Sequence, residues 1–167
     1  MKFFPLAVCC IVLAAPHAVV AQERGGLAPV YAASEGWLNG TASPETLKNK
    51  VVVVDVFTFG CYNCKNVVPE LRALESLQSK DVAVVGVHSP ETSYEKDRAN
   101  VVSNLRGQGI TWPVAIDNSF KIWNAYGVNA WPTQLFFDRH GRLRKTIVGD
   151  SQDDAVKATV RELVAEK

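Results

Sequence analysis

The chain has 167 residues, a formal net charge of +1 at pH 7 and 47% hydrophobic residues. That length suits one ordinary domain with its own core. The near balance of 18 basic against 17 acidic residues, with no basic stripe and no internal repeat, excludes the electrostatic footprint of a nucleic-acid binder and a solenoid architecture.

In chain order, Met1-Lys2, the apolar stretch to Val20 and Val19-Val20-Ala21 ahead of Gln22 read as a secretory signal over residues 1–21. The stretch holds Pro5, Pro16 and His17 and is at the short end for a membrane span, so cleavage is favoured over a retained anchor. Cys9 follows Leu6-Ala7-Val8, but the apolar core before it is too short for a lipidation box. Removal of the signal takes Cys9 and Cys10 with it and leaves Cys61 and Cys64. An exported domain with one close pair has no structural disulfide framework. A bridge closing so short a loop restrains little chain entropy, so the pair points to redox chemistry.

Residues 22–35, polar with Gly and Pro, are expected to form a flexible lead to a folded domain over 36–167. Trp37 and Leu38 open the packed part, and Ser43-Pro44-Glu45-Thr46-Leu47 reads as a capped helical turn. Residues 51–59 are a β-branched, apolar run broken only by Asp55 and Thr58 and ended by Gly60, the pattern of a buried central strand leading into a helix. The cysteines therefore sit where strand becomes helix. A first helical turn presents unpaired N–H groups and the positive end of the dipole, which favour thiolate over thiol and make Cys61 the reactive sulfur. Cys64, one turn deeper on the same face, is close enough to form a disulfide with it. Asp55 shares a strand face with Phe57 and Phe59, which directs it under the helix toward Cys64. An unpaired charge there is costly, so this carboxyl is expected to be protonated or partnered. A buried carboxyl of raised pKa suits the task of taking a proton from the inner thiol.

Leu71, Leu74 and Leu77 have core spacing on the helix that follows, and residues 82–87 form a second buried strand, which completes a βαβ unit. His88-Ser89-Pro90-Glu91 closes it at the carboxyl end of the strands, where open α/β sheets place their sites. His88 is read first as a hydrogen-bonded loop residue and second as a group approaching the cysteines. Residues 96–106 form a helix with Val101, Val102 and Leu105 toward the sheet, stopped by Gly107-Gln108-Gly109. A short strand over 114–117 and a short helix over 120–126 follow. Ala130-Trp131-Pro132-Thr133 puts proline ahead of a strand over 134–138, where a missing N–H is tolerated. Arg139-His140-Gly141-Arg142 turns that strand into 143–148, with His140 a solvated turn residue. Residues 150–166 form an amphipathic helix burying Val156, Val160, Leu163 and Val164.

Asp55 six residues before Cys61, C-x-x-C at a helix start and Pro69 eight residues after Cys61 resemble the thioredoxin superfamily. The wider pattern is similar to its extracytoplasmic TlpA-like branch, above all to the thioredoxin-like domain of DipZ-type cytochrome c biogenesis proteins. It is carried by Gly36-Trp37-Leu38-Asn39, residues 50–64, Val85-Gly86-Val87-His88-Ser89-Pro90-Glu91 with Glu95-Lys96, residues 112–118, residues 123–127 and Trp131-Pro132. It covers nearly all of 35–150.

The resemblance implies an α/β thioredoxin-like fold, with a central mixed sheet, helices on both faces and an inserted helix before the third core strand. It implies a cis Trp131-Pro132 bond beside the disulfide and a substrate groove of Tyr62, Asn63, Trp131 and Pro132, where an incoming chain pairs with the backbone. Trp131 is bulkier than the small or β-branched residue usual there. The implied chemistry is thiol-disulfide exchange needing neither cofactor nor metal, in which Cys61 attacks, Cys64 resolves and Asp55 assists. The implied setting is periplasmic or otherwise extracytoplasmic. A monomer is expected there to reduce oxidised exported proteins such as apocytochrome c, with electrons from a membrane thiol carrier. Two features depart from the pattern. The glutamate that many TlpA-like reductases carry six residues after the first cysteine is Val67 here, which leaves its task to Asp55. Tyr62-Asn63 is neither the Gly-Pro of thioredoxin nor the Pro-His of strong oxidants, so disulfide oxidase or isomerase activity stays open.

Two other chemistries have partial signals. Thr58-Phe59-Gly60-Cys61 matches the T-x-x-C of peroxiredoxins, but Val54 stands where that motif requires proline. Cys61, Cys64 and His88 are ligand types for a copper or zinc carrier. Copper-assembly relatives of the fold, however, use a wider C-x-x-x-C pair.

Overall fold

The computed structural model describes residues 25–166 except 34 and 79. The expected signal over 1–21, with Cys9 and Cys10, lies outside the described residues. β1 (Trp37–Leu38), β2 (Val51–Phe57), β3 (Val82–His88), β4 (Val114–Ile116), β5 (Thr133–Phe137) and β6 (Leu143–Val148) form one six-stranded sheet in the order β1-β4-β3-β2-β5-β6. β2, β3 and β4 are parallel, whereas β1, β5 and β6 pair antiparallel with their neighbours. This is the mixed sheet that the resemblance implies.

Every residue of β2 is buried because both faces of the sheet are covered. Val51, Val53 and Phe57 point to one face, where they meet α2 (Tyr62–Gln78), α3 (Arg98–Gln108) and α5 (Asp153–Ala165). Val52, Val54 and Val56 point to the other, toward α1 (Ala28–Ala33) and α4 (Lys121–Ala125). Each valine so buried contributes roughly 1.5–3 kcal/mol. β5 is likewise buried along its whole length.

The inserted helix before the third parallel strand is α3, preceded by a 3₁₀ turn at Tyr94–Lys96. Asp97 Oδ1 caps it by accepting Ala99 N at 2.9 Å and Asn100 N at 3.0 Å. Gly109, at φ 65°, closes it with bonds to Leu105 O and Arg106 O. Val101 and Leu105, four residues apart, share the buried face. Val102, one residue around the helix, is 38% exposed and does not face the sheet as expected.

One other expectation changes. The described part of the lead is packed rather than free, because Leu27 and Val30 bury their side chains and α1 lies against α4. Gly26 bridges to Arg142, and Tyr126 Oη donates to Gly26 O at 2.8 Å. Residues 43–47 form the capped turn expected: Thr46 N donates to Ser43 Oγ at 3.3 Å, Ser43 N to Thr46 Oγ1 at 2.9 Å, and Leu47 N to Ser43 O at 3.1 Å. The side chain of Leu77 lies outside the described residues.

Candidate active site

β2 ends at Phe57, and Thr58-Phe59-Gly60 carries the chain to Cys61, directly before α2. Cys61 and Cys64 form a disulfide with their Cα atoms 5.3 Å apart. Cys64 N, one of the first-turn donors with no partner inside the helix, donates to Cys61 Sγ at 3.2 Å. The two sulfurs are unequal: Cys61 is partly exposed, while Cys64 is 2% exposed and belongs to the core. Pro69 lies inside α2, which continues past it to Gln78.

Asp55 lies on the same face of β2 as Val53 and Phe57, under α2, and is 2% exposed. Burial pushes its carboxyl up to about 7. Its Oδ1 has no hydrogen-bond partner among the described residues. The same burial that raises it brings the change of protonation of this carboxyl into the neutral range.

Sequence reasoning missed two buried polar groups at the positions that flank Asp55 in the sheet, one on a register partner and one beside the other. Across the strands Asp55 faces Gly86 on β3 and Gln134 on β5. Gln134 is 1% exposed, and neither of its amide atoms has a partner among the described residues. The buried indole Nε1 of Trp112 stands 3.4 Å from the point a Gly86 Cβ would occupy, and it too lacks a partner among the described residues. A glutamine inside an apolar strand was the available signal for Gln134; nothing local marks Trp112.

The Trp131-Pro132 bond is cis. In the register Val56 pairs with Thr133, so Pro132 stands level with the end of β2 just before the cysteine loop. Trp131 is partly buried, and its Nε1 donates to Ser89 O at 2.9 Å. Its ring lies on Trp123 with centroids 4.5 Å apart, which accounts for its bulk. Tyr62 is 76% exposed and Asn63 is exposed, so both face solvent beside the disulfide.

His88 is fully buried and pairs in register with Phe57. Its Nε2 accepts Phe59 N at 3.4 Å and lies 3.4 Å from Thr58 Oγ1, and its ring stacks on Phe59 at 5.4 Å. Burial pushes its pKa down to about 4, so it is a neutral support for the cysteine loop, in line with the first reading. Among the described residues no group of three or more His, Cys, Asp or Glu side chains could hold a metal ion. A further buried acid, Glu95, accepts Gly60 N at 3.1 Å and so touches the same loop.

The Redoxin family pattern matches residues 35–164. The chain is 31% identical over 147 residues to protein DipZ of Mycobacterium tuberculosis, a match covering 85% of this chain and 21% of DipZ. It thus spans about a fifth of that relative's length. It is 24% identical over 139 residues to the thiol-disulfide oxidoreductase YkuV of Bacillus subtilis, covering 83% of this chain and 94% of YkuV. Among solved structures, a thioredoxin-like protein determined in solution in its oxidised form superposes with a TM-score of 0.73 at 25% identity, covering 80% of this chain and 90% of that one.

Proposed function

The chain belongs to the Redoxin family, and from that membership and the cysteine geometry we propose that it is an extracytoplasmic reductase of disulfides in exported proteins. It is a thiol-disulfide oxidoreductase of the thioredoxin type. The observation that carries the reading is the asymmetry of the pair: an accessible sulfur at a helix start, a buried sulfur one turn below, and a carboxyl held near neutrality beneath them.

In the reducing direction the Cys61 thiolate attacks one sulfur of a substrate disulfide and expels the other as a thiolate, forming a mixed disulfide. Cys64 then passes its proton to Asp55 and attacks Cys61 Sγ. The substrate leaves as its second thiol, and Cys61–Cys64 closes. Two electrons have moved to the substrate, and a membrane thiol carrier returns them. Tyr62, Asn63, Trp131 and Pro132 form the surface on which the substrate chain lies, with apocytochrome c as the substrate class that the family resemblance suggests. The signal-like residues 1–21 support export.

The test is capture. The Cys64→Ser variant, incubated reduced with an oxidised exported protein, is expected to stall as a mixed disulfide through Cys61, while Cys61→Ser gives neither capture nor turnover. Steady turnover by Cys64→Ser would refute the assignment of roles.

A further inference from the structure

One buried carboxylate fastens the segment after β3 to the cysteine loop. Glu95 lies in the 3₁₀ turn Tyr94–Lys96 and is 4% exposed. Its Oε1 accepts Gly60 N at 3.1 Å, and its Oε2 accepts Glu91 N at 2.6 Å and Thr92 N at 2.8 Å. The loop is shaped around this group, since a Cβ at residue 60 would collide with Glu95 Oε1. Among the described residues no cation pairs with Glu95. His88, which faces the same loop, feels its charge but is held neutral at pH 7 by burial. Lys65 on α2 and Lys96 beside Glu95 are exposed, where solvent and salt screen them.

A carboxylate held by N–H groups but by no cation among the described residues thus sits against the residue before Cys61, at the helix end whose positive field would otherwise stabilise a Cys61 thiolate. A like charge nearby disfavours the ionised form of a thiol, and burial of the carboxylate limits the screening. The disulfide carries no charge and does not feel this opposition. The redox equilibrium does, because a stabilised thiolate makes a pair oxidising and a destabilised one makes it reducing.

We propose that Glu95 sets the redox poise of the Cys61–Cys64 pair: its carboxylate opposes the Cys61 thiolate, raises the energy of the reduced form and makes the dithiol the stronger reductant. This rests on the exchange chemistry proposed above and gives its direction, which Tyr62-Asn63 leaves open, a physical cause. Glu95 touches no reacting atom; it acts through its field and through Gly60.

The experiment equilibrates the full chain with glutathione buffers at pH 7, where the dithiol gives two electrons and two protons to one glutathione disulfide and yields two glutathiones. The state of the peptide carrying Cys61 and Cys64 is read by alkylation and mass spectrometry, together with the pH dependence of Cys61 alkylation. Glu95→Gln keeps the shape and removes the charge. It is expected to lower the pH at which Cys61 ionises and to shift the equilibrium toward the dithiol about tenfold, ~30 mV more positive for this two-electron couple. Glu95→Asp keeps the charge, loosens the bonds to Gly60, and is expected to shift the equilibrium less than Glu95→Gln does. The inference is overturned if Glu95→Gln moves neither reading, or if Glu95→Asp moves both as far. The unaltered protein gives an independent check that no folding defect obscures: Cys61 is expected to ionise above ~7, the thioredoxin value, and ionisation near ~3.5 would refute the inference. A wild-type pair that never equilibrates with glutathione would instead remove the exchange reading itself, and this proposal with it.

Discussion

Asp55 is the residue at which the cost of burial and the needs of the chemistry meet. Its carboxyl is pushed up to about 7 by burial alone, with no nearby cation to pull it back. Because a base must be ionised to accept a proton, release of substrate from the mixed disulfide is expected to accelerate with pH and to level off above about 7. In Asp55→Asn that inflection should disappear and resolution slow by roughly 10²-fold, the scale of a general base. Single-turnover decay of a preformed Cys61 mixed disulfide across pH checks this, and an unchanged profile in the variant would leave Asp55 without a role in proton transfer. The roles of Cys61, Cys64 and Asp55 are suggested by the chain itself because they depend on local facts: a strand, a helix start, a parity of two. Glu95 and Trp112 enter only through the wider family pattern, and Gln134 only as a glutamine inside an apolar strand. Each gains its meaning from a partner across the sheet or the insertion, and register between distant strands is set by the whole fold.

At the scale of elements, the position facing Asp55 on β3 is closely confined by buried side chains. A Cβ on Gly86 would stand 2.9 Å from Val114 Cγ2 and 3.0 Å from Phe57 Cε1, both inside the buried layer under α2. Gly86→Ala is therefore expected to destabilise the protein by about 1–3 kcal/mol through overpacking, read as a lower denaturation midpoint. A neutral substitution would mean that β3 and β4 can separate without loss. The long elements of the fold are plain in the sequence. β2 and β3 are valine-rich runs, and α3 and α5 have apolar residues at helical spacing, α3 with Gly109 to close it. The packed lead is not plain, since its anchors are Leu27 just before α1 and Val30 and Tyr31 within it, and α1 owes its place to α4 and to the backbone of Gly26. Val102 marks the limit of reading by composition: an apolar residue in a helix is buried only when its angle faces the sheet, as those of Val101 and Leu105 do. Trp131 is the converse case. Its size is a departure from the family pattern in sequence, yet Trp123 and the carbonyl of Ser89 accommodate it.

For the whole molecule, the buried titratable groups combine into a dependence of stability on pH. Burial raises Asp55 from 3.8 to about 7, and burial with the neighbouring Asp153 raises Glu70 from 4.5 to about 7. A carboxyl raised on folding binds protons more tightly in the native state, so its contribution is complete below the unfolded value and is lost as pH climbs through the folded one. For Asp55 that loss is on the order of 4 kcal/mol between pH 3.8 and about 7. Glu70, at the edge of the core beside α5, adds a smaller loss in the same direction. His88 works against both: lowered from 6.5 to about 4, it favours the native state more as pH rises across that interval. Above 6.5 its contribution is complete, while the carboxyls are still losing theirs. Stability of the wild-type protein is therefore expected to fall from pH 6.5 to pH 8 in chemical denaturation, and Asp55→Asn to flatten that fall and to be the more stable of the two at pH 8. Stability that rises over this interval in the wild type would show that the Asp55 carboxyl is ionised without penalty, and the base proposed to act on Cys64 would lose the property that fits it for the task.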